Sequence, residues 1–414
     1  MTKLKLFLIL LVGLQISYGQ QTFPIIKANS NKVDVSDGNL FRKGYWYIMP
    51  EKRPDKYFVE IPRKTHKVTF YTDVDSISFK VRYGEKYDFV ILLNNKDSCL
   101  TQIVALPKQL FPYKRECDNC DSNQDTIPFA LGSNDKIFIK GKINNSEEIT
   151  FQFDLGASEN RIKTSSVKKS NIKPDQTNNE PKSSLNQLSL NKLIWDSLPF
   201  FISDHMSSKE DGIVGNTLFQ DKIVEINYDK KLIVIHNMLP NTDGYSKHEI
   251  LIDHSIPFIE GSLTNGKDTC KTWFVFDTGD SGNGMVTDEI ATQNNLYEKV
   301  DKKFVIGSRN IVVFPQLLIG SYKFSNLSAV IESKGANTND LSILGNALLK
   351  RFNVILDNQN GAIYLKPNSL YNTPFEHPEV LIQRIIIGLS IFIILLVGFI
   401  VYRKKKSNRK KNSR

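Results

Sequence analysis

The sequence contains few of the residues that bind transition metals. Only 4 cysteines and 6 histidines occur among 414 residues, and no two histidines stand at metal-ligand spacing beside an acidic partner. The Asp- and Asn-rich turns lack the glutamate that completes an EF-hand loop. We therefore expect no metal and no cofactor, and we interpret the histidines as surface or packing residues.

The four cysteines are Cys99, Cys117, Cys120 and Cys270. The Cys117–Cys120 segment is a lone CxxC motif without a second such motif or a nearby histidine pair, so a zinc site is not favoured. In an oxidising compartment four cysteines permit two disulfides in three pairings, among which the sequence does not choose. A local bridge between Cys117 and Cys120 is the favoured interpretation.

An excess of basic residues is confined to the two ends of the chain. The formal net charge is +10, of which Lys3 and Lys5 supply two and the segment 403–414 supplies eight, so the region between them is neutral. The charge thus gives no support to nucleic-acid binding. It is instead typical of membrane topology, in which basic residues flank the cytoplasmic end of a helix.

Two apolar runs predict targeting and anchoring. The run Leu6–Leu14 follows the two lysines and precedes small residues at 17 and 19, which predicts a signal peptide cleaved after Gly19. The run Ile385–Tyr402 carries no charge and is followed by four basic residues, which predicts a transmembrane helix. The chain is therefore predicted to be a single-pass type I membrane protein with a periplasmic or extracellular body and a cytoplasmic tail.

The body is rich in predicted strands. Alternating segments at 67–71, 76–81 and 87–93 predict a small N-terminal β domain. Beyond it, two stretches match without a gap, one from Gly215 to Ile235 and the other from Gly345 to Leu365. This internal repeat indicates two similar strand-rich halves. The polar segment 163–186 is predicted to be a long surface loop in the first half.

Each half contains an acidic turn at the end of an apolar strand. The first runs from Ile149 through Asp154 to Gly156, and the second runs from Trp273 through Asp277 to Gly279. Two such turns in one chain can bring two carboxylates together. Carboxylates held close together share one proton, so that one can activate water while the other donates a hydrogen bond.

The ordered pair of turns resembles the two lobes of aspartic peptidases of the pepsin/retropepsin superfamily, over about residues 125–370. That family carries hydrophobic-hydrophobic-Asp-[Thr/Ser]-Gly in each lobe and, later, a hydrophobic-hydrophobic-Gly segment. Here the later segments are 212–215 and 342–345. The resemblance implies an all-β, bilobal, pepsin-like fold and hydrolysis of peptide bonds.

The resemblance also implies roles for individual residues. Asp154 and Asp277 would be the catalytic pair, and Thr278 would hydrogen-bond across the lobes. The residues that would support the two catalytic loops are Gly156, Ala157, Thr278, Gly279, Gly215 and Gly345. Substrate-binding residues are not identifiable, and no flap with a substrate-facing tyrosine is evident in the first lobe.

Two residues depart from the family pattern. Leu155 stands where the family has Thr or Ser, which removes half of the cross-lobe hydroxyl network, and Asp280 stands where the family has Ser, Thr or Ala. These departures favour the alternative of a catalytically inactive peptide-binding or structural envelope protein. A Gly-Asp-Ser-Gly string at 279–282 is similar to a serine-peptidase loop, but no His and Asp context accompanies it.

The predicted organisation places an extended peptide or protein substrate between the lobes and the membrane at the C-terminal helix. The predicted segments are a signal peptide (1–19), an N-terminal β domain of unknown role (20–120), lobe 1 (121–245), lobe 2 (246–370), a stalk (371–380), a transmembrane helix (381–402) and a basic cytoplasmic tail (403–414).

Overall fold

Strands dominate the computed structural model, which confirms the predicted all-β class. It forms two compact units, Met1–Gln109 and Leu110–Arg414. The predicted signal peptide, Cys117 and Cys120 lie outside the described residues. These are 23–36, 43–61, 66–82, 84–107, 110–116, 124–175, 181–207, 209–296, 300, 303–306, 309–331, 342–375 and 378–411.

The first unit contains two four-stranded sheets, with strand orders β1-β7-β8-β4 and β3-β2-β5-β6. Phe70 of one sheet packs edge-on against Tyr57 and Phe89 of the other, at ring-centroid distances of 4.9 and 5.0 Å. The two sheets therefore share one core, and the predicted strands are present as β5, β6 and β7. The strands are β1 (Ile25–Ala28), β2 (Lys32–Ser36), β3 (Lys43–Tyr47), β4 (Asp55–Ile61), β5 (His66–Tyr71), β6 (Ser76–Val81), β7 (Lys86–Leu93) and β8 (Asp97–Pro107).

The second unit contains the remaining twenty described strands. Its described residues include two 3-10 turns, at Thr164–Ser166 and Asn216–Phe219, and the helices α1 (Asp288–Gln293), α2 (Asn346–Leu349) and α3 (Pro378–Lys411). The strands are β9 (Tyr113–Arg115), β10 (Gln124–Leu131), β11 (Ile137–Ile143), β12 (Ile149–Asp154), β13 (Arg161–Ile162), β14 (Lys182–Leu190), β15 (Leu193–Ile202), β16 (Gly212–Gly215), β17 (Ile223–Asn227), β18 (Leu232–His236), β19 (Ser246–Asp253), β20 (Ile256–Thr264), β21 (Thr269–Asp277), β22 (Gly284–Val286), β23 (Lys303–Ile306), β24 (Arg309–Ile319), β25 (Tyr322–Ile331), β26 (Ser342–Gly345), β27 (Phe352–Asp357) and β28 (Ala362–Pro367).

The same pattern of strand pairing occurs twice in the second unit. In the first lobe β11 pairs with β12 and β14, and β12 runs parallel to β16. In the second lobe β20 pairs with β21 and β24, and β21 runs parallel to β26. The two short strands β13 and β22 each lie between a parallel and an antiparallel neighbour. The unit is therefore two-lobed, with equivalent strands in each lobe.

A six-stranded antiparallel sheet joins the two lobes. Its order is β10-β18-β17-β27-β28-β19, so each lobe contributes three strands and β17 pairs with β27 at the centre. The central strands are buried on both faces and are rich in Ile, Val and Leu. Such strands need neighbours on both edges, because an unpaired buried backbone group is costly.

The two Gly-Asn sequences of the repeat link the lobes through their asparagines. Asn216 donates to Asn358 Oδ1 at 2.7 Å and receives a bond of 3.0 Å in return. On the other side, Asn346 Oδ1 accepts a 2.6 Å bond from the hydroxyl of Tyr228. All of these side chains are buried. The amides therefore satisfy one another across the lobe boundary, where solvent is excluded.

Arg351 holds the segment that precedes the C-terminal helix. Its guanidinium donates to the backbone carbonyls of residues 370, 371, 373 and 374, and it lies 3.8 Å from the ring centroid of Phe375. The predicted stalk thus begins as a segment docked on the second lobe. Helix α3 contains one stretch, Ile382–Ile400, with mean hydropathy 2.4 and no burial against the rest of the protein. This stretch is long and apolar enough to cross a membrane.

Two boundaries differ from the sequence-based expectation. The first unit ends at Gln109, before residue 120, because β9 pairs with β15 of the first lobe. The segment 163–186 is not loop throughout, since β14 starts at Lys182. Its inward positions Ser183 and Asn186 are polar but buried, and they hydrogen-bond to each other. Polar residues on a buried face concealed this strand in the sequence.

We expect Asn216→Ala to destabilise the protein by about 2–4 kcal/mol, because Asn358 Oδ1 and the Ser255 carbonyl both lose a buried donor. Thermal or denaturant unfolding of the full chain in detergent measures this loss. The matched control is Asn241→Ala in an exposed turn, for which we expect a loss below about 1 kcal/mol. Equal losses in the two variants would contradict the importance of the interlobe asparagines.

Candidate active site

The two acidic turns occupy equivalent places in the two lobes. Strands β12 and β21 end at Asp154 and Asp277, and parallel pairing places these residues opposite Gly215 and Gly345. The residue immediately before each aspartate is a buried phenylalanine, Phe153 in β12 and Phe276 in β21. The buried strands therefore fix the point at which each carboxylate emerges.

The glycine of each turn lies directly against the carboxylate of the other lobe. A Cβ atom placed on Gly156 would lie 2.5 Å from Asp277 Cγ, and one placed on Gly279 would lie 2.5 Å from Asp154 Oδ1. No side chain fits at these distances, so only glycine permits this approach. The contacts are reciprocal, as expected for two equivalent turns that face each other.

The carboxyl groups of Asp154 and Asp277 lie close enough for each to shift the pKa of the other. Each side chain is surrounded by protein but retains some solvent-accessible surface. The Gly156 amide donates to Asp154 Oδ1 at 2.8 Å, and the Gly279 amide donates to Asp277 Oδ1 at 2.7 Å. The backbone of each turn therefore fixes the orientation of its own carboxylate.

Burial raises the pKa of both carboxyl groups, but the two environments differ. For Asp154, burial is opposed by hydrogen bonds from Asp277 and the Gly156 amide, by the charge of Lys136 and by a hydrogen bond from Gln152. For Asp277, burial, the charge of Asp154 and the hydrogen bond with it hold the pKa well above its ordinary value. The pair is thus arranged to share a proton, and the groups that favour ionisation differ between its two members.

Thr278 connects the two turns across the lobe boundary. Its hydroxyl accepts a 2.9 Å bond from the Leu155 amide and donates a 3.1 Å bond to the Phe153 carbonyl. Thr278 and Leu155 are both fully buried. Leucine has no hydroxyl, so residue 155 cannot make the reciprocal bonds to the second turn. The cross-lobe network is therefore one-sided, and Leu155 contributes apolar packing instead.

The residues that follow the two glycines also differ. Ala157 has no polar side chain, whereas Asp280 adds a carboxylate. The Asp280 amide donates to Asp277 Oδ1 at 3.1 Å, and this bond lowers the pKa of Asp277. The Asp280 carboxylate lies close to Gly345, since a Cβ atom there would collide with Asp280 Oδ2. Asp280 therefore supports the aspartate pair through its backbone amide, not through its carboxylate.

Sequence reasoning missed two polar residues beside Asp154. Gln152 donates to Asp154 Oδ2 at 2.9 Å, and Lys136 donates to Gln152 Oε1 at 2.8 Å. A signal was present, because Gln152 interrupts an apolar strand two residues before Asp154 and so faces the same side. Lys136 gave no signal, since only the fold of the turn between β10 and β11 brings it to this place.

A cavity of about 430 Å³ lies beside the second turn, but neither Asp154 nor Asp277 lines it. Its walls include Asp135, Gly282, Ile306, Lys350, Arg351 and Phe375. Lys350 forms a 2.7 Å ion pair with Asp135. Residues 176–180, within the predicted surface loop 163–186, lie outside the described residues. Among the described residues, no group of three or more His, Cys, Asp or Glu is placed to hold a metal ion.

Comparisons with known proteins find similarity at the level of structure. No family model matches it, and no curated protein matches it. Among solved structures, it is similar to the aspartic proteinase from Irpex lacteus, with a TM-score of 0.44 and 13% sequence identity. The match covers 60% of this chain and 99% of that one. The assignment of a site therefore rests on the geometry of the two turns.

We expect Thr278→Val to destabilise the protein by about 2–4 kcal/mol, because the Leu155 amide and the Phe153 carbonyl lose their buried partner. Unfolding of the full chain in detergent measures the change. Thr278→Ser keeps the hydroxyl and should recover most of the loss. If Thr278→Val were as stable as the wild type, the cross-lobe bonds would contribute nothing to stability.

We expect Asp277→Asn to stabilise the protein increasingly as pH rises. In the wild type, the raised folded-state pKa of Asp277 contributes stability that is fully present below the unfolded-state pKa near 4 and is lost progressively as pH rises from there through the folded-state pKa. The difference in free energy of unfolding between Asp277→Asn and the wild type should grow by up to about 1.4 kcal/mol per pH unit. Thermal midpoints measured from pH 4 to 8 test this.

The control for this measurement is Asp196→Asn. The pKa of Asp196 is lowered by its surface partner Lys114, so its loss should slightly destabilise the protein at neutral pH. A stabilising effect shared by both variants would indicate a general charge effect. A flat difference between wild type and Asp277→Asn across pH would contradict the raised pKa.

Proposed function

We propose that the protein is a membrane-anchored, extracytoplasmic aspartic endopeptidase. The observation that supports this most is the reciprocal packing of Gly156 and Gly279 against the carboxylates of Asp277 and Asp154. This packing brings two half-buried carboxyl groups together, where each shifts the pKa of the other. Such a pair serves both as general base and as general acid.

In the proposed reaction, the ionised carboxylate of Asp154 takes a proton from a water molecule, and the water oxygen attacks the scissile carbonyl carbon. The protonated Asp277 donates a hydrogen bond to the carbonyl oxygen and stabilises its developing charge. Collapse of the tetrahedral intermediate breaks the C–N bond. The proton taken by Asp154 then passes to the leaving amine, and the pair returns to its singly protonated state.

The substrate is proposed to be an extended polypeptide segment. A segment lying between the lobes presents one carbonyl to both carboxylates, and main-chain hydrogen bonds to strand edges give affinity with little sequence dependence. The stretch Ile382–Ile400 supports an anchor in a membrane, and the basic residues after Tyr402 support a cytoplasmic tail. The peptidase would then act on proteins at the outer face of that membrane.

A second candidate function is that of a catalytically inactive peptide-binding or structural envelope protein. The one-sided hydroxyl network favours it, because Leu155 cannot reinforce the second turn as Thr278 reinforces the first. The additional carboxylate of Asp280 also favours it. Both candidates use the same cleft, so only turnover separates them.

Cleavage of an unfolded protein mixture by the full-length chain in detergent, from pH 3 to 8, tests the proposal. We expect Asp154→Asn and Asp277→Asn each to reduce cleavage by at least about 10³-fold, since neither amide can exchange a proton in the reaction. Asp196→Asn, which removes a surface carboxylate of the first lobe, should cleave as the wild type does.

Each result has a definite meaning. Loss of cleavage in both variants at the aspartate pair, with Asp196→Asn active, supports the endopeptidase. An inactive wild type that still binds unfolded polypeptide supports the second candidate. Cleavage that persists in either Asn variant overturns the paired-carboxylate mechanism and indicates a different site or a contaminating peptidase.

A further inference from the structure

Gln152 is a buried amide in an otherwise apolar strand. Its side chain is 2% exposed, and its neighbours Phe151 and Phe153 are fully buried. A polar group in such a place is costly unless its hydrogen bonds are made. Both ends of this amide are satisfied: its NH₂ group donates to Asp154 Oδ2, and its oxygen accepts from Lys136.

The other lobe shows that the strand itself does not require a polar residue here. Gln152 stands opposite Ile213 in the β12–β16 ladder, and Val275 stands opposite Ile343 in the equivalent β21–β26 ladder. Val275 is therefore the counterpart of Gln152, and it is apolar. Only one of the two carboxylates, that of Asp154, has a side-chain amide at this position of its strand. The role of the amide therefore concerns Asp154 and not the fold of the lobe.

The two oxygens of Asp154 have different donors. Oδ1 accepts from the Gly156 amide at 2.8 Å, and Oδ2 accepts from Gln152 at 2.9 Å. Ala157, the residue after the glycine of this turn, has no hydroxyl to offer. The charged groups beside Asp154 are Asp277, from the end of β21, and Lys136, from the turn before β11. Lys136 is the positive one: its charge favours the ionised form of Asp154, and its ammonium group holds the Gln152 oxygen.

Resting on the proposed function, we propose that Gln152, oriented by Lys136, is a positioning residue that favours the ionised form of Asp154 and leaves the shared proton on Asp277. The chain Lys136–Gln152–Asp154 supplies a donor to the oxygen that the turn backbone does not reach. It thereby breaks the equivalence of the two carboxylates. Asp154 is the base toward water, and Asp277 is the donor toward the carbonyl.

The test is the pH dependence of kcat/KM of the full-length chain in detergent. Loss of a donor to the ionised carboxylate raises the pKa of the first ionisation, so Gln152→Leu should move the acid limb upward by about one to two pH units. Lys136→Met should move the acid limb in the same direction by a smaller amount, and Lys136→Arg should leave the acid limb at its wild-type position. Val275→Ala, which loosens the equivalent strand of the other lobe, should leave the acid limb in place.

A second measurement is independent of turnover. Aspartate labelled with carbon-13 at Cγ allows the Asp154 carboxyl to be titrated by NMR, its signal being assigned by its loss in Asp154→Asn. Gln152→Leu should raise the midpoint of this titration by a similar amount. If the wild type shows no cleavage, the proposed function fails, while this titration still tests the role of Gln152.

Several results would overturn the inference with the peptidase intact. One such result is that Gln152→Leu lowers kcat/KM equally at all pH values, as the loss of a purely structural residue would. The acid limb could move as far in Val275→Ala as in Gln152→Leu. An unchanged Asp154 titration midpoint in Gln152→Leu, in an active enzyme, would have the same meaning.

Discussion

The close approach of two half-buried carboxyl groups is the constraint on which the rest of the second unit depends. Two like charges in a poorly solvated place are costly, so the surrounding structure must hold them together. The register of Asp154 with Gly215 and of Asp277 with Gly345 fixes each turn within its lobe. The six-stranded sheet and the buried asparagine bonds then fix one lobe against the other.

The two lobes share a plan of strands but not a set of side chains. Thr278 faces a leucine in the other turn, Gln152 has a valine as its counterpart, and Ala157 has an aspartate. Duplication of the strands supplies two equivalent positions for a carboxylate. Substitutions around those positions make the environments unequal, which is what a reaction with one base and one acid requires.

Local patterns in the sequence were enough to predict the turns, the glycines and the repeated strands, because each depends on residues close together in the chain. Features that depend on distant partners were not predictable. Lys136 reaches Gln152 only through the hairpin of β10 and β11, and Arg351 reaches carbonyls about twenty residues later. Strand β14 was missed because Ser183 and Asn186 satisfy each other inside the lobe, so its buried face does not look apolar.

If the apolar stretch crosses a membrane, as proposed, the attachment of residues 370–375 to Arg351 limits how far the second unit can lie from the bilayer. The apolar stretch starts at Ile382, only seven positions after Phe375, and a fully extended segment of that length spans at most about 25 Å. Because residues 370–375 are docked on the second lobe, they cannot extend to lengthen this connection. A peptide bond would then be accessible or inaccessible according to its height above the membrane, whatever its sequence.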